Sequence, residues 1–93
     1  LYGQDPDSVS RKLFAVKNAA LFAMNLMVAA RGYGLETHPM DGFQEDKVKE
    51  AFGIPQDRLV PMLIAVGHLK PGTQLLPRGY RRPVEDFVHP ERF

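Results

Sequence analysis

Between Ala19 and Ala30 the chain reads AALFAMNLMVAA, with Asn25 the one polar residue among twelve. A helix that is apolar all round has to be covered all round. Twelve residues are too few to cross a bilayer, which takes about 20. Five of the twelve are alanines, so other backbones can come close. The run is therefore expected at the centre of an assembly, and a subunit boundary is one such place.

The flanking residues extend this run into a longer helix. Asp7, Ser8 and Ser10 are candidate N-caps, and Gly32 and Gly34 are candidate stops. These signals predict a loop over 1–8 and a helix over 9–33. A short segment, 35–43, follows and ends in the turn His38-Pro39-Met40-Asp41-Gly42. Asp41 and Gln44 stand three apart, the spacing of a capping box, and predict a second helix over 44–52. Val48, Ala51 and Phe52 would form its inner stripe. The run Leu59 to Gly67 predicts a strand buried on both faces, with Pro61 near its start or at an edge. A basic segment and tail occupy 78–93.

One clear strand and one short extended piece do not make a stable sheet. The residues thus predict an incomplete folding unit, whose missing strands and helices come from elsewhere. A start at Leu1 without a basic leader predicts a processed product, a fragment or one piece of a longer polypeptide.

Composition narrows the function classes. At 93 residues the chain holds at most one domain. Its net charge of +1 gives no broad field for nucleic acid or an acidic membrane surface, so neither is an expected partner. There is no cysteine, which excludes disulfides and thiolate metal sites and fits a cytoplasmic setting. His38, His68 and His89 show no metal-ligand spacing, so no metal site is expected.

Two places could carry chemistry. In the 38–42 turn, the amides of Asp41 and Gly42 could face a ligand, with proline fixing one dihedral and glycine allowing close approach. A plain helix cap is the alternative. In RGYRRP, the guanidinium groups of Arg78, Arg81 and Arg82 suit a phosphate. A solvated surface loop is the alternative there. No nucleophile motif is present and no side chain is identified as catalytic.

Three pieces in order, N-L-M-V-A-A-R-G-Y-G-L-E-T-H-P-M-D-G-F, K-V-K-E-A-F-G-I-P and V-P-M-L-I-A-V-G-H, followed by R-x-x-R-R-P, resemble the C-terminal half of the FMN-dependent nitroreductase family. The likeness runs from about Ala19 to Val88. It implies an α+β fold: a central, antiparallel-rich sheet flanked by helices, with a long helix at a homodimer interface. Helix 9–33 matches that dimer helix. By resemblance, Pro39, Met40, Asp41 and Gly42 lie over the flavin ring, with the last two amides toward N5 and O4. Arg81 and Arg82, with Arg78, match the group that holds the FMN phosphate.

The implied activity is an NAD(P)H oxidoreductase with FMN as cofactor, reducing nitroaromatics, quinones or similar acceptors by ping-pong hydride transfer. The family's R-x-S motif, carried by its N-terminal half, does not occur here. The partner implied is that N-terminal half, without which the chain is expected to be inactive. Two other functions stay open: a non-enzymatic helical interaction module, and the same fold with other flavin chemistry, such as dehalogenation or flavin breakdown.

Overall fold

The computed structural model describes residues 8–91. The loop expected over 1–8 and the cap candidate Asp7 therefore fall outside it, except for Ser8. Four main elements follow in order: helix α1 (Val9–Gly32), strand β1 (Glu36–Met40), helix α2 (Glu45–Phe52) and strand β2 (Leu63–Gly67). A single 3-10 turn, Val84–Asp86, lies in the tail.

Helix α1 begins where a hydroxyl can cap it. The Ser8 side chain accepts a hydrogen bond from the Arg11 amide at 3.2 Å. It ends on the left-handed Gly34, φ 76°. The Leu35 amide reaches back to the Ala30 carbonyl and the Gly34 amide to that of Arg31, both at 3.0 Å, so two orphan carbonyls are satisfied. Gly34 alone supplies the left-handed stop, because Gly32 remains helical. Arg31, in the last turn, pairs with Glu36 at the start of β1.

The two strands pair antiparallel, with Glu36 opposite Gly67 and Met40 opposite Leu63. They form a two-stranded sheet against which α1 packs through β1. Val16, Ala20, Ala23, Met27 and Ala30 are the covered residues of the helix centre, buried or half-buried, at alternating spacings of four and three. That spacing is one stripe along a helix.

The rest of α1 is uncovered. Leu21 and Phe22 are each 70% exposed, and Leu13, Met24 and Val28 are exposed as well. The expected burial on every side is therefore not met within this chain. Asn25 is exposed too. The helix as a whole is 24 residues with a mean hydropathy of 1.6 over its most apolar window, so by length and composition it is able to cross a membrane. The helix is twice as long as the twelve-residue apolar run within it. A core helix of a soluble protein meets the same criterion.

Three further expectations are corrected. Strand β2 starts at Leu63, not Leu59. Pro61 has no amide to give a ladder, and the Val60 amide goes instead to the Glu45 carboxylate at 3.0 Å. The strand is half-buried at Leu63 and Ile64 and exposed from Ala65 onward, because no strand lies on its outer side among the described residues. The capping box does not form: Gln44 is the N-cap of α2 and makes no side-chain cap bond. Asp41 lies too far ahead, across a bend closed by Phe43 N–H to the Asp41 carbonyl at 2.8 Å.

The inner stripe of α2 also differs. Val48 is half-buried, while Ala51 and Phe52 are exposed. The buried residue is Lys49, 6% exposed.

A compact protein of 10.5 kDa presents about 5,400 Å² of surface. This chain presents 8698 Å². Its radius of gyration is 17.6 Å, against about 12 Å for a compact chain of this length. The core is thin because α1 and β2 each keep faces that nothing covers among the described residues.

Candidate functional site

Strand β1 delivers the site. Its last pairs, Pro39 with Ile64 and Met40 with Leu63, fix where the chain leaves the sheet. Pro39, Met40 and Asp41 then line a small pocket of about 170 Å³ with Pro61 and Met62. These five residues are brought together by register: β1 ends where β2 begins. Both prolines lie at the strand ends, where a missing amide costs little.

Gly42 follows directly. Its φ is outside the left-handed region, and a methyl group placed on it would meet no atom within 4 Å. Nothing among the described residues requires glycine there. What glycine gives is open space above a backbone that carries two amides.

Glu45 and Lys49 hold the far side of this turn. The Glu45 carboxylate accepts from the Val60 amide at 3.0 Å and lies 3.4 Å from the Lys49 ammonium. Lys49 also donates to the Gln56 carbonyl at 3.2 Å. A buried lysine needs such partners. The Val60 amide, and after it Lys49, hold the Glu45 carboxyl below its usual range, against the opposing effect of burial.

A carboxyl with a depressed folded pKa stabilises above its unfolded value, and that stability is lost as pH falls through the folded value. The variant E45Q is therefore expected to unfold at lower urea than the parent protein at pH 7. The gap should close at acid pH, below the ordinary carboxylate range of about 4. A gap that stays constant from neutral to acid pH would show that the charge at Glu45 contributes nothing.

The basic segment stands apart. Arg78, Arg81 and Arg82 are exposed. Arg81 donates to the Gly79 carbonyl at 3.0 Å, and Arg82 approaches Asp86 at 3.9 Å. None of the three lines the 39–41 pocket. Within the described residues the turn and the arginines are thus not assembled into one site.

A larger open groove, about 630 Å³, lies between the first half of α1 and the 56–61 segment. Arg11, Lys12 and Arg58 lie on it, with Ala15, Val16 and Leu59 beneath. Arg58 is paired with Asp57 at 3.0 Å. Residue order does not announce this groove, because its two walls are about forty residues apart in the chain.

The sequence profile of the Nitroreductase family matches residues 2–68. That match begins well before Ala19, and it ends before Arg78, Arg81 and Arg82. A Bacillus subtilis protein named "Putative NAD(P)H nitroreductase MhqN" is 42% identical over 74 residues, covering 80% of this chain and 35% of its own length. A Thermus thermophilus protein named "NADH dehydrogenase" is 30% identical over 79 residues, covering 85% of this chain and 37% of its own. The crystal structure of a Bacillus subtilis protein titled "putative nitroreductase ydfN" superposes with a TM-score of 0.78 at 39% identity, over 85% of this chain and 38% of the other. The matched stretch is thus a little over a third of the length of these relatives. With a profile match over most of its length and the same fold in a solved relative, the chain belongs to the nitroreductase family.

Proposed function

We propose that this chain is the C-terminal part of a cytoplasmic, FMN-dependent NAD(P)H oxidoreductase. The observation that carries this is the segment Pro39–Gly42, which closes β1 with two paired residues and leaves open space at Gly42, in a chain of the nitroreductase family. FMN, when bound, supplies hydride transfer from NAD(P)H to a nitroaromatic, quinone or similar acceptor in ping-pong turnover.

This chain's own residues bind and orient. Pro39 and Met40 would lie beside the ring, and the Asp41 and Gly42 amides would supply fixed donors to it. Fixed dipoles are effective where charge builds up, since they need no reorganisation during the reaction. Arg81 and Arg82, with Arg78, hold the phosphate. The tail that carries them is exposed, so it is free to lie against the rest of the subunit or a second copy. No side chain here is assigned an acid or base role.

The partners are the N-terminal part of the same subunit and a second subunit packed through α1. The exposed apolar faces of α1 support both, and would equally serve a non-enzymatic interaction module. Substitution of the arginines separates the two. In the flavin-loaded protein, R81A and R82A are each expected to weaken FMN binding about tenfold, with folding intact, because each removes a charge-assisted bond of about 1.5 kcal/mol. Unchanged FMN titrations in both variants would remove the arginines from the site. A parent protein indifferent to FMN would favour the interaction module.

A further inference from the structure

We propose that Glu45 is the positioning residue of the turn formed by residues 41–44, fastening it to the segment that opposes β1. This rests on the proposal above that the turn faces the flavin.

The geometry is a bracket. On one side of the turn, Met40 is held opposite Leu63 by the strand register. On the other side, Glu45 is held to the Val60 amide at 3.0 Å. The turn therefore has four residues between two anchors, and the anchors sit three residues apart on one opposing stretch. Between them on that stretch are Pro61 and Met62, the far wall of the pocket that Pro39, Met40 and Asp41 line. The distance across that pocket is thus set by a strand pair and by one carboxylate.

Nothing local replaces the carboxylate. Gln44, the cap of α2, makes no side-chain bond to its helix. The bend has one short internal bond, Phe43 to Asp41. Lys49 is buried beside Glu45 and ties it to the Gln56 carbonyl. That second tie keeps the carboxylate charged and aimed at Val60 rather than at solvent. The helix is short, at eight residues, so its first turn needs such a hold to stay registered.

The test uses the whole flavin-binding subunit that contains this chain, and reads amide hydrogen exchange together with FMN titration. In E45A, exchange at Gly42 and Phe43 is expected to rise about tenfold, while amides of β1 and β2 keep their protection. FMN affinity is expected to fall about tenfold in the same variant. E45Q, which still offers an oxygen to Val60, should remain near the parent in exchange. E45D, too short to reach, should resemble E45A, and carries the test if the alanine variant does not fold. K49M, which removes that second tie, should loosen the turn in the same direction as E45A but less.

Unchanged exchange at the turn in folded E45A or E45D would overturn the proposal. So would a uniform rise across turn and strands alike, which marks a merely structural residue. If the parent binds no FMN, the functional proposal fails, and the exchange pattern alone still decides whether Glu45 positions the turn.

Discussion

Purified by itself, the 93-residue chain is expected to self-associate and to remain colourless in the presence of FMN. Co-folded with the rest of a nitroreductase subunit, it should become a soluble yellow protein with flavin absorbance. The surface excess argues for this. The chain presents roughly 3,300 Å² more than a compact protein of its mass. A standard stable interface buries about 1,600 Å² in total, so the excess is large enough to involve more than one contact. Part of it is Leu13, Leu21, Phe22, Met24 and Val28, apolar side chains exposed on more than one side of one helix, and exposed apolar faces mark contact surfaces. Alone, such a helix finds copies of itself. Analytical ultracentrifugation of the isolated chain, with and without FMN, reads the outcome. A monodisperse monomer that takes up FMN unaided would refute the need for a complement.

Local features of this fold could be read from residues, and distant ones could not. The start and stop of α1 rest on Ser8 and Gly34, and each acts within five residues of itself. Capping chemistry of that range is written in the order of side chains. The antiparallel pairing of β1 and β2 was not legible in the same way, since β1 is the mostly polar ETHPM and its partner lies more than twenty residues on. The grip of Glu45 on Val60 spans fifteen residues, and no periodicity announces it. A Glu and a Lys four apart on a charged helix look like an ordinary solvated pair, and here the lysine is buried. The late start of β2 has the same origin, since an amide diverted to a carboxylate cannot join a ladder.

The site was legible in part, for the same reason. Pro39, Met40 and Asp41 share a pocket because they are contiguous at a strand end. Arg78, Arg81 and Arg82 are more than thirty-five residues further on, in a tail with no packed element to deliver it. Their chemistry suits a phosphate, but among the described residues no packing brings them to the turn.

The second large effect is expected on α1, where the two substitutions L21D and F22D should fail in different ways. At about 100° per residue, the face packed on β1 carries Val16, Ala20, Ala23, Met27 and Ala30. Phe14, Leu21, Met24 and Val28 form a second face, and Phe22 and Leu26 a third. The second and third lie about 135° apart on the helix, with Asn18 and Asn25 along the seam between them. One flat partner cannot cover both. On the function proposed here, one face would take the rest of the subunit and the other a second subunit. An aspartate on either face would be buried without a partner, at a cost of about 3 kcal/mol or more, equivalent to over a hundredfold in association. On the intra-subunit face, that cost should prevent folding and give insoluble protein. On the inter-subunit face, it should give a folded monomer that has lost flavin. Size-exclusion with absorbance at the flavin bands distinguishes the two, and L21A and F22A should show the same split in weaker form. Should either aspartate variant assemble and hold FMN like the parent, that face is a solvent face, and α1 cannot be the shared rod between two partners.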